Sequence, residues 1–142
     1  MVSSTHRHVA LLSVHPQYAF AILDGVKRVE FRKTEFKRDV SHVVIYATAP
    51  VGRVVGVFEV EGIDRQTPQA LWNAYRHVGG IEEGSFFHYY DGYLHGVALR
   101  VGAVRRLPEP LCLSALRPGL TPPQSYQYLD RACLPFLTIA QA

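Results

Sequence analysis

Apolar residues come in short runs along this chain, and their spacing changes from one run to the next. Val9 to Val14 is an almost continuous apolar stretch, which predicts a buried strand. Pro16 suits the first turn of a helix, where its missing N–H costs nothing. Tyr18, Ala19, Ile22 and Leu23 then recur at helical spacing and define a buried stripe. Gly25 fits the C′ position in the left-handed conformation. From Lys27 to Lys33 the period falls to two. Val29 and Phe31 alternate with Arg28, Glu30 and Arg32, which puts three charged side chains on one face of a second strand.

Thr34 to Ser41 is a basic loop. His42 to Thr48, rich in β-branched residues, is a third strand, and Ala49-Pro50 ends it. Arg53 to Val60 is a fourth, with Gly52 and Gly56 allowing a tight turn and close backbone approach. Thr67-Pro68 has the form of an N-cap followed by proline at N1, opening a helix to about His77, and Gly79-Gly80 stops it. Glu82 to Tyr90 reads as a short helix with Asp91-Gly92 as its exit turn. Leu94 to Leu107 is one long strand, bent or bulged at a glycine. Prolines dominate from Pro108 onward, and a last helix is expected from near Pro123 to about Cys133. No strict βαβ alternation is present. Strands around two or three helices suit an α+β fold, a small mixed β-barrel capped by helices.

Length and charge narrow the picture. At 142 residues the chain is expected to form one domain, 1–142, with 1–8 frayed and the Pro-rich 108–142 packed on the barrel. No run approaches the roughly 18 apolar residues of a membrane span, and the N-terminus lacks a signal-peptide h-region, so a cytoplasmic setting is expected and no membrane partner. Cys112 and Cys133 are far apart in sequence and read as buried thiols. His6 and His8 lack nearby acidic or cysteine ligands, so neither a metal nor a cofactor is expected. The net charge is +3, and the segment 27–39 alone carries six basic residues against three acidic ones. Such a patch can attract a nucleic-acid backbone; a mobile basic loop fits the composition equally.

Among chemical motifs there is no phosphate-binding glycine loop, no HExxH and no nucleophile elbow. The suggestive set is Lys27, Glu30 and Arg32, with Tyr46 and Thr48 on the next strand. A lysine near an arginine can have a lowered pKa and act as base or nucleophile, and Glu30 can move a proton or accept from an amino group. The plain alternative is a solvated strand face on which Lys27 and Arg32 bracket Glu30. Downstream, Phe86, Phe87, Tyr89, Tyr90 and Tyr93 crowd one segment. Phe86, Phe87 and Tyr90 are expected in the core, with Tyr89 and Tyr93 exposed as stacking surfaces for bases. The polar stretch from Gln124 after the double proline fits a reader loop or a capped helix.

Ser13, Pro16, Tyr18, Ala19, Gly25, Lys27, Glu30 and Arg32 together resemble the opening of the ASCH family, in the PUA-like superfamily. The blocks Ile45 to Pro50 with Val54 to Val60, and Phe86 to Gly92, are similar to its later strands and its helix-to-strand passage. The resemblance covers residues 9 to 107. It implies a PUA-like mixed β-barrel and a ligand that is RNA, a nucleotide or a modified nucleobase, held between the first helix and the barrel. Ser13, Tyr18, Lys27, Glu30, Arg32, Tyr46, Thr48 and Tyr89 are the expected ligand-binding residues. His15 stands where many relatives carry a basic residue. One branch of the family hydrolyses acetylated cytidine nucleosides with a Lys, Thr and Glu set. Lys27 matches its lysine, Glu30 stands where its threonine is expected, and Glu82 and Glu83 merely lie near its glutamate region. The alternative function is therefore a nucleoside amidohydrolase or ribonuclease in the same cleft, with Lys27 and Glu30 catalytic. A protein-interaction domain without a ligand is a third. A carboxylate beside Lys27 is expected to raise the lysine pKa.

Overall fold

A computed structural model describes residues 7–139; His6 of the sequence reading lies outside them. The elements are β1 (His8–Val14), α1 (Pro16–Leu23), β2 (Val29–Arg32), β3 (Val40–Ala47), β4 (Arg53–Gln66), α2 (Pro68–Tyr75), α3 (Glu83–Tyr89), β5 (Gly96–Leu111), β6 (Tyr126–Leu129) and α4 (Cys133–Ile139). β1 begins at His8, inside the stretch read as frayed, and Arg7 pairs with Asp39 at 2.9 Å. The strands form one six-stranded sheet in the order β2-β5-β4-β3-β1-β6. β1 and β3 run parallel, and the other neighbours are antiparallel.

Both faces of the central strands are covered, which is why β1 reads as an almost continuous apolar run. Ala10 and Leu12 pack with Ala19 and Ile22 of α1, while Val9 and Leu11 pack with Leu113, Leu120 and Leu137 from the C-terminal third. A third cluster joins Val29, Phe31 and Ala98 to Leu71 of α2, Phe86 of α3 and Tyr90 just after it. Thr67 caps α2, its side chain accepting from the Ala70 amide. Gly56 lets α1 sit close. A Cβ there would lie 2.5 Å from Leu23 Cδ2 and 2.7 Å from the Arg105 carbonyl.

The segment after Pro123 is not a helix: Tyr126–Leu129 is β6, paired antiparallel with β1, and the helix starts only at Cys133. The period-2 alternation of Tyr126 and Tyr128, which pack on the α1 side, with Leu129, which packs on the other, was the missed signal. β4 runs to Gln66 rather than Val60, because β5 supplies partners as far as Gly96. Cys112 is exposed, not buried.

A closed barrel is not formed by the ladders. Among the described residues β2 and β6 are the two edges and do not pair with each other. The long β4·β5 ladder shifts register at Val54/Gly56, Phe58/Val60 and Val60/Gly62. Bulges of this kind bend strands and increase twist, and they carry β2 round toward β1. No helix among the described residues is long and apolar enough to cross a membrane.

Candidate functional site

Period two decides where the charged residues of β2 point. Glu30 and Arg32 lie opposite Leu99 and Val97 of β5, whose side chains belong to the α1 side of the sheet. Val29 and Phe31 point the other way, toward α2 and α3. Arg28 precedes the strand and is exposed, unlike the buried Glu30.

Lys27 is set in place by two turns. After α1, the chain reverses through Gly25 at φ +81, and the amides of Val26 and Lys27 both donate to the Ala21 carbonyl. The turn after α2 then closes over the lysine. The Arg28 amide donates to the Val78 carbonyl at 2.7 Å, and Lys27 Nζ donates to the Gly79 carbonyl at 2.5 Å. Gly80 is at φ +62, and a Cβ there would stand 2.9 Å from Lys27 Cβ. Gly79-Gly80, read from sequence only as a helix stop, is thus a partner of Lys27.

Glu30 is 6% exposed and lies between two cations. Lys27 Nζ is 3.7 Å from Oε1 and Arg32 Nη1 is 3.3 Å from Oε2. Arg32 also donates from Nη1 to the Ser13 carbonyl (3.3 Å) and from Nη2 to Ser125 Oγ (2.9 Å). The Tyr90 hydroxyl donates to the Arg32 carbonyl at 2.8 Å. Lys27 Nζ lies 5.1 Å from the ring centres of both Tyr18 and Phe31. Burial holds the Lys27 ammonium below its ordinary pKa, outweighing Glu30, which acts the other way. The expectation of a raised value is overturned, because a lysine 2% exposed loses more hydration than one carboxylate restores. Burial likewise raises the Tyr89 phenol.

These groups border a cavity of about 430 Å³. Of the expected residues, Ser13, Tyr18, Lys27, Glu30, Arg32, Thr48 and Tyr89 line it. Tyr46 does not: it is buried with Val44 and Val54 on the opposite side of the sheet. Thr48 lies beyond the end of β3, where the chain turns, and so escapes the strand's alternation. His15, Lys33, Thr34 and Ile81 line the cavity without having been expected, and Gln124 and Ser125 line it from the stretch that fits a reader loop or a capped helix. Gln124 and Ser125 belong to the polar stretch after the double proline, so the reader-loop pattern was the available signal. Lys33 sits at 4.7 Å over Tyr89 and 5.0 Å over Tyr93. Phe86 and Tyr90 are buried, Phe87 and Tyr89 half-buried, and Tyr93 exposed.

The lining offers donors in Lys27, Arg32 and Lys33, an acceptor in Glu30, and aromatic faces. It suits a ligand with both anionic and hydrogen-bonding groups. Among the described residues no group of three or more His, Cys, Asp or Glu side chains is placed to hold a metal ion.

The ASCH domain family description matches residues 12–103. Over 135 residues the chain is 31% identical to the ASCH domain-containing ribonuclease of Zymomonas mobilis, covering 92% of this chain and 90% of that protein. The crystal structure of ASCH from Zymomonas mobilis superposes with a TM-score of 0.85 at 28% identity, covering 96% of this chain and 97% of that one. The chain is also 28% identical to a segment of the ATP synthase subunit alpha of Ureaplasma parvum; that match takes in 90% of this chain but spans only 16% of the longer protein.

Proposed function

The chain belongs to the ASCH domain family, and from that premise we propose that its cavity binds RNA, taking one nucleotide between α1 and the sheet. The curled, open sheet serves as the half-closed barrel that holds it. The observation that carries this reading is the Glu30 carboxylate, almost fully buried between Lys27 and Arg32 yet bordering open space. Burying such charges costs more than packing apolar side chains of similar volume would. A ligand that uses their free hydrogen-bonding positions gives that arrangement a purpose. Arg32 and Lys27 contact a phosphate or carbonyl, Glu30 accepts from a base, Tyr18 and Tyr89 offer ring faces, and Lys33 draws the backbone to the mouth.

A second reading is cleavage of the bound RNA. It is favoured by the relative named as a ribonuclease and by the lowered pKa of Lys27. A lysine with a lowered pKa gives up its proton more readily than an ordinary one, and its neutral form can take the proton of a ribose hydroxyl, while Arg32 steadies charge on the adjacent phosphate. Titration of a labelled single-stranded RNA into the chain tests the binding reading. Lys27→Met and Arg32→Ala should each weaken binding at least about fivefold, the loss of a charge-assisted contact; unchanged affinity in both overturns it. Incubation of the same RNA with the chain, followed on a gel, tests cleavage.

A further inference from the structure

We infer that the cavity selects guanine, through the row of hydrogen-bonding groups formed by Arg32 and Glu30. This inference rests on the RNA-binding reading above and adds the base. A carboxylate is acceptor-only and has about four lone-pair positions on its two oxygens. Lys27 engages Oε1 and Arg32 engages Oε2, so each oxygen keeps an accepting position. Arg32 makes three hydrogen bonds, to Ser13, Glu30 and Ser125, which leaves two of the five guanidinium N–H groups available. From Arg32 across Glu30 the wall thus presents a donor followed by two adjacent acceptors.

Guanine carries the complement along its Watson–Crick edge: the O6 acceptor, then the N1–H and N2–H donors. Uracil presents one donor between two acceptors, so one of its carbonyls would face a carboxylate oxygen. Adenine and cytosine each present an exocyclic amino group beside a ring-nitrogen acceptor, so only one of the two Glu30 oxygens would be satisfied. A mismatched base leaves a buried polar group unpaired, which is where discrimination comes from. The burial of Glu30, at 6% exposed, keeps water from substituting for the missing donor. A cavity of about 430 Å³ falls in the range of small-molecule sites. It accepts a single unstacked base and excludes a duplex.

The test uses the full chain and five RNA pentamers that differ only at the central nucleoside, which is guanosine, inosine, adenosine, cytidine or uridine in an otherwise all-adenosine context. Binding is followed by fluorescence anisotropy. The guanosine pentamer should bind about tenfold or more tightly than those with adenosine, cytidine or uridine, as expected for a bidentate base contact. Inosine, which lacks the 2-amino group, should lose several-fold. Glu30→Gln should erase the preference, since its amide replaces one acceptor by a donor; the inosine comparison holds even if that variant folds poorly. Equal binding of all five pentamers, or preference for another base, overturns the guanine inference and leaves the RNA reading standing. No binding of any pentamer overturns both.

Discussion

Arg32 on β2 donates from Nη1 to the Ser13 carbonyl on β1 at 3.3 Å, although the ladder order puts β2 at one end of the sheet and β1 next to the other. A side chain therefore spans the gap that backbone pairing leaves open. Its second arm reaches Ser125, just before β6. The cavity lies along this seam, so the residue that joins the sheet edges also borders the ligand space.

Arg32→Ala should lower stability by about 1–3 kcal/mol, the range for losing charge-assisted hydrogen bonds at a partly buried site. Arg32→Lys should restore only a small part, because an ammonium cannot reach Ser13, Glu30 and Ser125 with a planar fork. Urea unfolding of the three proteins measures this. A lysine variant as stable as the parent would show that charge alone matters at the seam.

Lys27 makes a prediction in pH. Its folded pKa lies below the ordinary lysine value of 10.5, chiefly through burial. Between the lowered value and 10.5 the unfolded chain binds more protons than the folded one, so stability rises with pH in that window. This contribution is complete above 10.5 and is lost as the pH falls through the lowered value. The unfolding free energy of the parent relative to Lys27→Met should therefore grow as the pH is raised toward about 10. Titration of the raised Tyr89 and Tyr90 phenols occurs in both proteins and cancels in the difference. A flat or falling difference would contradict the lowered lysine.

Gly80 and Gly84 should respond oppositely to alanine. At Gly80 the backbone is at φ +62 and a Cβ would press on Lys27. Gly80→Ala should cost at least about 1–2 kcal/mol, the penalty of a left-handed alanine, and should weaken RNA binding through the displaced lysine. Gly84 lies in α3, and a Cβ added there would meet nothing within 4 Å. Gly84→Ala should be neutral or stabilise by up to about 1 kcal/mol. Thermal melts of both variants, with one RNA titration each, decide it.

Salt should separate the phosphate contacts from the base contacts. Lys33, Lys37 and Arg38 are exposed beside the cavity strand, and a small basic segment neutralises few phosphates. Single-stranded RNA binding should weaken with salt at a slope of about 0.7 per phosphate contacted. Lys33→Ala should reduce that slope by roughly one contact without changing the base preference. Binding indifferent to salt would place the ligand away from these residues.

Much of the local structure was legible because it depends on near neighbours. The Pro16 start, the Gly25 stop and the Thr67 cap follow from backbone chemistry within a few residues. The alternation in β2 was equally plain, and it put Glu30 and Arg32 on one face. The fate of that face was not plain: a charged strand face reads the same whether it meets water or a cavity. The match of Lys27 with Gly79, 52 positions away, left no periodic trace.

Local spacing and residue type were enough for the α+β composition, the family, and the side chains of β2 that point together. Contacts between distant segments settled the rest. They made Tyr126–Leu129 a strand, since β1 offered an edge to pair with, and β propensity depends on such partners. They sent Tyr46 into the opposite core and brought Gln124 and Ser125 to the cavity. They also set the proton affinity of Lys27, because burial is a sum over everything packed around a group and no stretch of sequence contains that sum.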